Sequence, residues 1–402
     1  MKEKVEVWVC KDFRMKKIAI LFLVAIACCT SEEPASVPVV NSFSELIEVL
    51  GTKPEEKRQD IVDLYFKEDK NFPVIENETI AYFVYQSKTA TSVNVAGDFN
   101  GWSQNSLTNI AGTDLWYLAK TFEINARLDY KFVVDGSWIL DPKNPNTMSG
   151  GFGANSELAM PAYVQPSEIL TREGVTYGEL VTGSIASTNT GKTYGLKILL
   201  PPVYDPLASY PVVYFQDGSE YLSLAKASTT IGNLIADGNI ESLIAVFVTP
   251  TNRNVEYAFA DRFKYTDFFV NELVPYIDNS YATDPSARRR AVIGDSYGGN
   301  ISAIISFKHP EVFGNCGLHS GAFQENGFDT NTIVMDGVKK EIRVASVWGS
   351  YEFGLAYNMI DVRDYLMEKE YDIYWKELPE GHSWGLWRAT IDDMLIFFFP
   401  LE

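Results

Sequence analysis

The sequence predicts a small β-sandwich followed by a larger domain in which helices surround a mostly parallel sheet. Between Glu76 and Met160, short runs of alternating apolar residues are separated by turn residues, as in antiparallel strands. Beyond Tyr163, short apolar runs are spaced by amphipathic segments, which predicts parallel strands with right-handed crossovers. With 402 residues and 46% hydrophobic side chains, the chain is long enough to bury the cores of both parts.

Residues 1–29 have the pattern of an export signal. Two lysines precede the apolar run 18–27, which is too short for a membrane-spanning helix that stays in place. The cysteine pair that follows resembles a bacterial lipoprotein signal, which implies acylation of Cys28 or Cys29; an ordinary cleaved signal is the alternative. Residues 30–42, rich in Ser, Glu and Pro, predict a flexible tether. We therefore expect an exported, lipid-anchored protein of the bacterial periplasm or cell surface.

The charge of the chain limits its partners. The formal net charge is −19, and removal of the first 29 residues, which carry six basic and three acidic side chains, would leave it at −22. This charge argues against nucleic acid as a partner and against a membrane partner beyond the lipid anchor. Cys316 alone lies in the predicted globular part, so we expect neither a disulfide framework nor a Cys-rich metal site. No metal and no cofactor is expected.

Residues 43–75 predict two short helices, because apolar side chains recur at helical spacing and Gly51 and Pro54 interrupt the pattern. Residues 76–163 then form the sandwich. Its strands are predicted at 79–85, 92–96, 116–122 and 128–134.

Two motifs stand out in the sandwich segment: VNVAGDFNGW at 93–102 and YKFVVDGSW at 130–138. They resemble the glycogen-binding, isoamylase-type immunoglobulin-like module. The positions that contact sugar rings in starch- and glycogen-binding members correspond here to Trp102, Lys131, Trp138 and Asn155. The resemblance therefore implies a glycan site. As alternatives, the tryptophans seal the sandwich or pack on the next domain, and the loops roof its active site.

Residues 164–402 form the larger domain. Its strands are predicted at 196–200, 212–215, 243–248, 290–293, 342–347 and 373–376. The fourth of these runs directly into Gly294-Asp295-Ser296-Tyr297-Gly298, and a helical segment follows at 300–308. A strand, Gly-x-Ser-x-Gly and a helix make a nucleophile elbow, a strained turn that presents the serine hydroxyl clear of the sheet.

A serine nucleophile needs a base to take its proton, and the chain has three histidines. His309 precedes a proline at the end of the helix after the elbow, where it caps the helix or faces solvent. His319 lies at the tip of the next strand, where it would line the pocket. His382 lies in the C-terminal segment Glu380-Gly381-His382-Ser383-Trp384.

Further segments extend the pattern. They are Leu200–Tyr204 (LPPVY), Tyr210–Gly218 (YPVVYFQDG), Glu272–Asp278 (ELVPYID), the elbow with Gly299, and Gly381–Trp384 (GHSW). Together they resemble the esterase-D-like α/β-hydrolases, which include enterochelin, feruloyl and acetylxylan esterases and the mycolyl transferases. The resemblance implies an α/β-hydrolase fold and a serine esterase that acts through an acyl-enzyme.

In this fold the chain order is nucleophile, acid, histidine, and only His382 leaves room for an acid after the serine. The acid is expected just after the strand 342–347, where relatives usually have Asp and this chain has Glu352. A carboxylate with one more methylene still orients the imidazole and stabilises its cation. Asp329 and Asp361 are the alternatives.

The oxyanion of the tetrahedral intermediate needs two backbone donors in this fold, one directly after the nucleophile and one in the loop that here follows the strand predicted at 212–215. These positions are Tyr297 and Ser219 or Gly218. Relatives often have His-Gly where this chain has Asp217-Gly218, and we expect Asp217 to order the loop.

The substrate pocket is predicted from its neighbours in the chain. Arg253 follows the strand predicted at 243–248, where it would hold a carboxylate, phenolate or sugar hydroxyl; a salt bridge to Glu256 or Glu352 is the alternative. Trp384 and Tyr351 lie in the catalytic loops and suit an aryl acid or a sugar ring.

A triscatecholate siderophore is strongly anionic, and the sequence shows no basic cluster near these motifs. The three arginines at 288–290 precede the nucleophile strand, away from the carboxyl end of the sheet. The sequence therefore favours an esterase acting on feruloyl or acetyl esters of plant polysaccharide. The alternatives are a siderophore esterase, a glycan-binding protein with an inactive hydrolase domain, and an enzyme that transfers the acyl group to a sugar.

Overall fold

The structure is a computed structural model that describes residues 38–151 and 153–401. The predicted export signal, with Cys28 and Cys29, and most of the tether at 30–42 lie outside the described residues. Within the described ranges, no helix has both the length and the apolar composition needed to cross a membrane.

The segment with helical periodicity forms two helices, α1 (Phe43–Thr52) and α2 (Glu55–Tyr65). The side chain of Ser42 caps α1 by accepting a hydrogen bond from the third residue of the helix. Both helices bury their apolar faces against one sheet of the sandwich, where Tyr82 and Val84 complete the cluster. They therefore extend the sandwich core on its outer side.

The sandwich segment forms two antiparallel sheets that face each other across a common core. The strands are β1 (Val74–Glu76), β2 (Ile80–Gln86), β3 (Val93–Gly97), β4 (Asn105–Ser106), β5 (Thr108–Asn109), β6 (Leu115–Thr121), β7 (Arg127–Val134), β8 (Ser137–Ile139), β9 (Thr147–Gly150) and β10 (Gly153–Ala159). One sheet has the order β1-β2-β6-β5, and the other β4-β3-β7-β10-β9 with β8 paired to β7. Phe83 and Tyr130 meet edge to face between the sheets, with ring centroids 5.0 Å apart.

The strands predicted in this segment are present as β2, β3, β6 and β7, with bounds shifted by one residue. The other strands were not predicted. Most of them are two to four residues long, which is too short for an alternating pattern. The longer β10 has small and polar residues in place of the apolar ones that mark a strand.

The larger domain is built on one sheet. Its strands are β11 (Glu179–Ala186), β12 (Thr193–Leu200), β13 (Val212–Phe215), β14 (Ile244–Thr249), β15 (Arg290–Asp295), β16 (Asn315–His319), β17 (Arg343–Gly349) and β18 (Ile373–Leu378). Their order is β11-β12-β14-β13-β15-β16-β17-β18. The pairs from β14 to β18 are parallel, whereas β11 and β12 add to the edge in antiparallel fashion. The prediction of a mostly parallel sheet is confirmed.

Helices cover both faces of this sheet. They are α3 (Gly218–Ser223), α4 (Ala227–Ala236), α5 (Arg253–Tyr257), α6 (Arg262–Phe268), α7 (Val274–Ser280), α8 (Tyr297–Lys308), α9 (Asp329–Val334), α10 (Ala356–Glu368), α11 (Trp384–Arg388) and α12 (Ile391–Phe398). Phe215 and Ile293 pack toward α4 and α12, whereas their neighbours Tyr214 and Val292 pack toward α6, α7 and α8. Because both faces are buried, the central strands are continuous apolar runs.

Candidate active site

A cavity of about 790 Å³ lies where β13 and β15 end and where the segment after β18 begins. The larger domain lines it with Asp217, Glu220, Arg253, Asn254, Asp295, Ser296, His382, Ser383, Trp384 and Trp387. The sandwich lines it with Trp102, Asp129, Lys131, Trp138, Ser149, Gly150, Gly151, Gly153 and Asn155. This volume is in the range of small-molecule sites, and both parts of the chain form its walls.

Ser296 lies on a strained turn between β15 and α8. Its φ of 53° and ψ of −118° are unfavourable for a residue with a side chain. Its backbone N–H donates to the carbonyl of His319 at 2.9 Å, and its carbonyl accepts from Ala322 at 3.0 Å. A Cβ at Gly294 would lie 2.2 Å from the carbonyl oxygen of Gly298, so this turn closes only with glycine there. The expected elbow geometry is present, and the serine is half-buried at the cavity.

His382 is fixed by a buried carboxylate. Its Nδ1 lies 2.9 Å from Oε2 of Glu352, whose side chain is fully buried. The other carboxylate oxygen accepts from the hydroxyl of Ser320 at 2.5 Å and from the N–H of Gly349 at 2.8 Å. The carboxylate favours the tautomer with its proton on Nδ1, which leaves Nε2 free to accept a proton.

The other candidate acids lie elsewhere. Asp329 pairs with Arg262, and Asp361 is exposed on α10. Of the three candidates for the triad acid, Glu352 is the one that contacts His382.

Two residues that sequence reasoning missed support this pair. The indole N–H of Trp387 donates to the hydroxyl of Ser320 at 2.9 Å, and its ring stands perpendicular to the imidazole of His382 at 5.0 Å. Trp387 lies on α11, five residues after His382, a separation that matches no helical or strand period and so gave no sequence signal. Ser320 gave no signal either, because a serine after a strand is common.

The remaining histidines do not face the cavity. His319 is fully buried and hydrogen-bonds Tyr221 at 2.8 Å and Thr390 at 3.2 Å. Burial lowers the pKa of His319 to about 3, so the ring stays neutral at ordinary pH. The expectation that His319 lines the pocket is wrong. His309 is the cap residue directly after α8, as predicted, and contacts Glu311.

The predicted oxyanion donors lie at the beginnings of two helices. Tyr297 is the first residue of α8, and Gly218 and Ser219 are the first residues of α3. The first backbone N–H groups of a helix have no partner within it, so they are available to an anion. A Cβ at Gly218 would lie 2.5 Å from the backbone of Phe247, so α3 is held tightly against β14.

Arg253 is paired, but not with the predicted residues. Its Nε lies 2.8 Å from Oδ2 of Asp217, and its Nη2 lies 3.3 Å from Oδ2 of Asp295. The predicted partners were wrong: Glu256 binds Lys192 instead. Burial raises the pKa of both aspartates, and repulsion from Asp217 raises that of Asp295 further. Arg253 therefore neutralises buried carboxyl groups and is not a free cation for the substrate.

The two predicted aromatic contacts differ in position. Trp384 lines the cavity, with its ring perpendicular to that of Trp387 at 4.9 Å. Tyr351 does not line it. Its hydroxyl donates to Glu123 of the sandwich at 2.6 Å, and its ring packs near Phe122. The prediction for Tyr351 was wrong because that side chain joins the two parts of the chain.

The four sandwich residues suggested by the sugar-binding pattern line the same cavity as Ser296. The rings of Trp102 and Trp138 are stacked with centroids 6.4 Å apart, and 48% of Trp138 is exposed. Neither tryptophan seals the sandwich core. Asn155 donates to Asp129 at 3.0 Å, beside Lys131. The sandwich therefore contributes a wall of the catalytic cavity, as the roof alternative predicted.

A buried charge cluster joins the sandwich to the segment that carries His382. Arg127 lies 2.7 Å from Asp129 and 2.8 Å from Glu157, and Asp98 and Glu380 complete the cluster. Four carboxyl groups thus surround one guanidinium. Burial raises the pKa of Asp98 to about 7 and that of Glu380 to about 8.

The chain matches the model of the Esterase family ("Putative esterase") over residues 187–398, which is more than half of its length. The chain belongs to this family. It is accordingly a carboxylic ester hydrolase, and the elbow at Ser296 and the histidine at the cavity agree with this family.

Two proteins of known sequence are similar to this esterase over different parts of its length. An endo-1,4-beta-xylanase/feruloyl esterase from Xylanibacter ruminicola is 27% identical over 270 residues, which cover 63% of this chain and 36% of that protein. The esterase thus spans about a third of the length of that relative. The uncharacterized protein YjcH from Bacillus subtilis is 27% identical over 220 residues, covering 50% of this chain and 89% of that protein.

Solved structures show the fold of the esterase. The enterobactin esterase from Shigella flexneri is 20% identical, with a TM-score of 0.70, over 83% of this chain and 97% of that one. A ferulic acid esterase from the anaerobic fungus Anaeromyces mucronatus is 19% identical, with a TM-score of 0.50, over 57% of this chain and 94% of that one. The larger domain therefore has the α/β-hydrolase fold.

The charge cluster makes the stability of the esterase depend on pH. Folding raises the pKa of a carboxyl group such as that of Glu380. At a pH between its ordinary and its raised pKa, the group is therefore protonated more often in the folded chain than in the unfolded one. The free energy of unfolding then falls as pH rises through this range. For Glu380 the range extends from about 4.5 to about 8. We expect Glu380→Gln to become progressively more stable than the parent between pH 5 and pH 9, measured by urea denaturation.

Glu377→Gln, at an exposed position on β18, is the matched control for this measurement. A stability difference between Glu380→Gln and the parent that does not change with pH would contradict the assignment. The same trend in Glu377→Gln would contradict it too.

Proposed function

We propose that the chain is an exported serine esterase that cleaves feruloyl or acetyl esters of plant polysaccharide. The observation that carries the mechanism is the buried contact between Glu352 and His382, at the cavity that also contains the strained Ser296. These are the nucleophile, base and acid of an acyl-transfer site, in the chain order of the α/β-hydrolase fold.

The mechanism follows from these positions. Nε2 of His382 takes the proton of Ser296 as the hydroxyl oxygen attacks the ester carbonyl, and Glu352 stabilises the imidazolium. The backbone N–H groups of Tyr297 and of Ser219 or Gly218 bind the oxyanion. The imidazolium returns its proton to the leaving alcohol, which leaves an acyl-enzyme, and a water activated by His382 then releases the acid.

The charge of the cavity favours a neutral substrate. Asp129, Asp217, Glu220 and Asp295 line it against the cations Lys131 and Arg253. Because Arg253 is already paired with two aspartates, the described residues of the wall offer no free cationic cluster for a triscatecholate. A siderophore esterase is the second candidate, and the observation that favours it is the likeness to an enterobactin esterase. That likeness concerns the fold alone. The name of the xylanase/feruloyl esterase relative supports the first.

The aromatic wall suits a carbohydrate-linked ester. The faces of Trp102 and Trp138 on the sandwich, and of Trp384 on the other side, offer stacking surfaces for sugar or aryl rings. We assign the sandwich as an immunoglobulin-like, carbohydrate-binding module that holds the sugar part of the substrate at the catalytic serine. A glycan-binding protein with an inactive hydrolase domain would have no need of the buried Glu352–His382 contact.

We expect Ser296→Ala to lower turnover of methyl ferulate or acetylated xylan by at least about 10⁴-fold. Glu352→Ala should lower turnover by a smaller factor, about 10²- to 10⁴-fold, because His382 is still present although it has lost the carboxylate that orients it. Asp361→Ala, which removes an exposed carboxylate of α10, is the control and should keep full activity. The measurement is the initial rate of hydrolysis by the purified parent and by each of the three variants.

Turnover retained in Ser296→Ala would refute the serine mechanism. Serine-dependent turnover of ferric enterobactin far above that of methyl ferulate and acetylated xylan would replace the polysaccharide ester with a siderophore. Absence of turnover on all of these substrates would favour the binding protein.

The double variant Trp102→Ala/Trp138→Ala should raise KM for acetylated xylan about 10-fold more than KM for p-nitrophenyl acetate. Two lost stacking contacts of about 0.5–1.5 kcal/mol each account for this factor. Trp375→Ala is the matched control, because Trp375 is a partly exposed tryptophan of β18 that stacks on Trp348 away from the cavity. An equal change on both substrates would defeat the assignment of a sugar site.

The N-terminal motif leads us to propose export and acylation at Cys28 or Cys29. When the full chain is expressed in a bacterium with an alkyne-labelled fatty acid, it should carry the label and sediment with membranes. Cys28→Ala/Cys29→Ala should lose the label. Export of the parent chain without the label would support an ordinary cleaved signal instead.

A further inference from the structure

The segment between β18 and α11, which carries His382, lies directly against the sandwich. The backbone N–H of Arg127 on β7 donates to the carbonyl of Pro379 at 3.1 Å, and Arg127 and Glu380 form an isolated parallel bridge. The base of the mechanism is thus connected to a strand of the sandwich through the backbone.

The side chain of Arg127 makes a second connection. Its guanidinium is fully buried, and Glu157 accepts from both Nε and Nη2, at 2.9 and 2.8 Å. Asp129 lies 2.7 Å from Nη2. These sandwich carboxylates orient the planar group, and its remaining nitrogen, Nη1, donates to the hydroxyl of Ser383 at 2.9 Å. Ser383 follows His382 directly and caps α11.

Glycines on both sides of His382 show how close this approach is. A Cβ at Gly385 would lie 2.2 Å from Nη1 of Arg127, and a Cβ at Gly381 would lie 2.0 Å from Cγ of Asp98. The sandwich therefore presses on the chain before and after the histidine. On its other side, the imidazole meets Glu352 and the ring of Trp387.

We propose that Arg127 is a positioning residue, which holds the His382 segment in the orientation that lets the imidazole serve Ser296. The sandwich then belongs to the catalytic apparatus in addition to binding substrate. This inference rests on the proposed serine mechanism. It concerns kcat, because Arg127 acts on the base through Ser383 and the backbone and does not line the cavity.

Arg127→Met should lower kcat on p-nitrophenyl acetate about 10- to 100-fold, the cost of a displaced catalytic group, with less than about a 2-fold change in KM. The rate at which a fluorophosphonate labels Ser296 should fall by the same factor. Arg127→Lys should recover part of both rates, because it restores the cation but not the fork of donors. Rates are expressed per folded protein, measured by circular dichroism.

Arg290→Met is the matched control. Arg290 is also buried in a salt bridge, with Asp278 at 2.8 Å, but it lies at the opposite end of the strand that leads to Ser296. Its variant should keep the kcat of the parent per folded protein. An equal loss of kcat in both variants would show a purely structural role and overturn the proposal.

Ser383→Ala tests the same contact if Arg127→Met does not fold. It removes the acceptor of Nη1 and should lower kcat by a smaller factor than Arg127→Met; when both fold, the double variant should be no worse than Arg127→Met alone. A kcat equal to that of the parent in either single variant would overturn the proposal. If the parent shows no serine-dependent turnover, the proposed function fails instead, and the labelling rates of Ser296 still test Arg127.

Discussion

The burial of the Glu352 carboxylate is the constraint on which the rest of the site depends. A carboxylate without water needs donors for both oxygens, and here they come from Ser320, Gly349 and His382. Ser320 itself has a φ of 51°, an unfavourable value for a serine, so the backbone is strained to deliver that hydroxyl. This strained residue lies next to the Glu352–His382 pair, where its hydroxyl helps to fix the orientation of the imidazole.

The sandwich supplies the part of the cavity wall that the larger domain does not form. The larger domain contributes the elbow with Ser296 and the paired His382 and Glu352, but a wall of aromatic and polar side chains comes from Trp102, Lys131, Trp138 and Asn155. The same sheet sends Arg127 to Ser383. The proposed substrate contacts and the proposed support of His382 thus come from one sheet and the loop after β3, so a change in how the sandwich docks would alter both.

Much of this arrangement was accessible from the sequence, because it rests on local patterns. The elbow around Ser296 is five adjacent residues. Chain order pointed to His382, and the resemblance to relatives with Asp after the strand 342–347 pointed to Glu352. The partners of Arg253 were not accessible, because Asp217 follows β13 and Asp295 ends β15, and these two strands become neighbours only in the sheet. Tyr351 was assigned to the pocket because it is near Glu352 in the chain, yet it turns toward the sandwich. The docking that sets its direction depends on contacts such as Arg127 with Ser383, 256 positions apart.

Because the cavity is shared by distant parts of the chain, it is complete only after the last of them has been synthesised. Its walls come from Trp102 early in the chain and from His382 and Trp384 near its end. During synthesis the ribosome releases the sandwich first, then the serine elbow, and the base last of all. A nascent or C-terminally shortened chain therefore carries Ser296 without His382, and under the proposed mechanism it cannot hydrolyse an ester until the final segment docks.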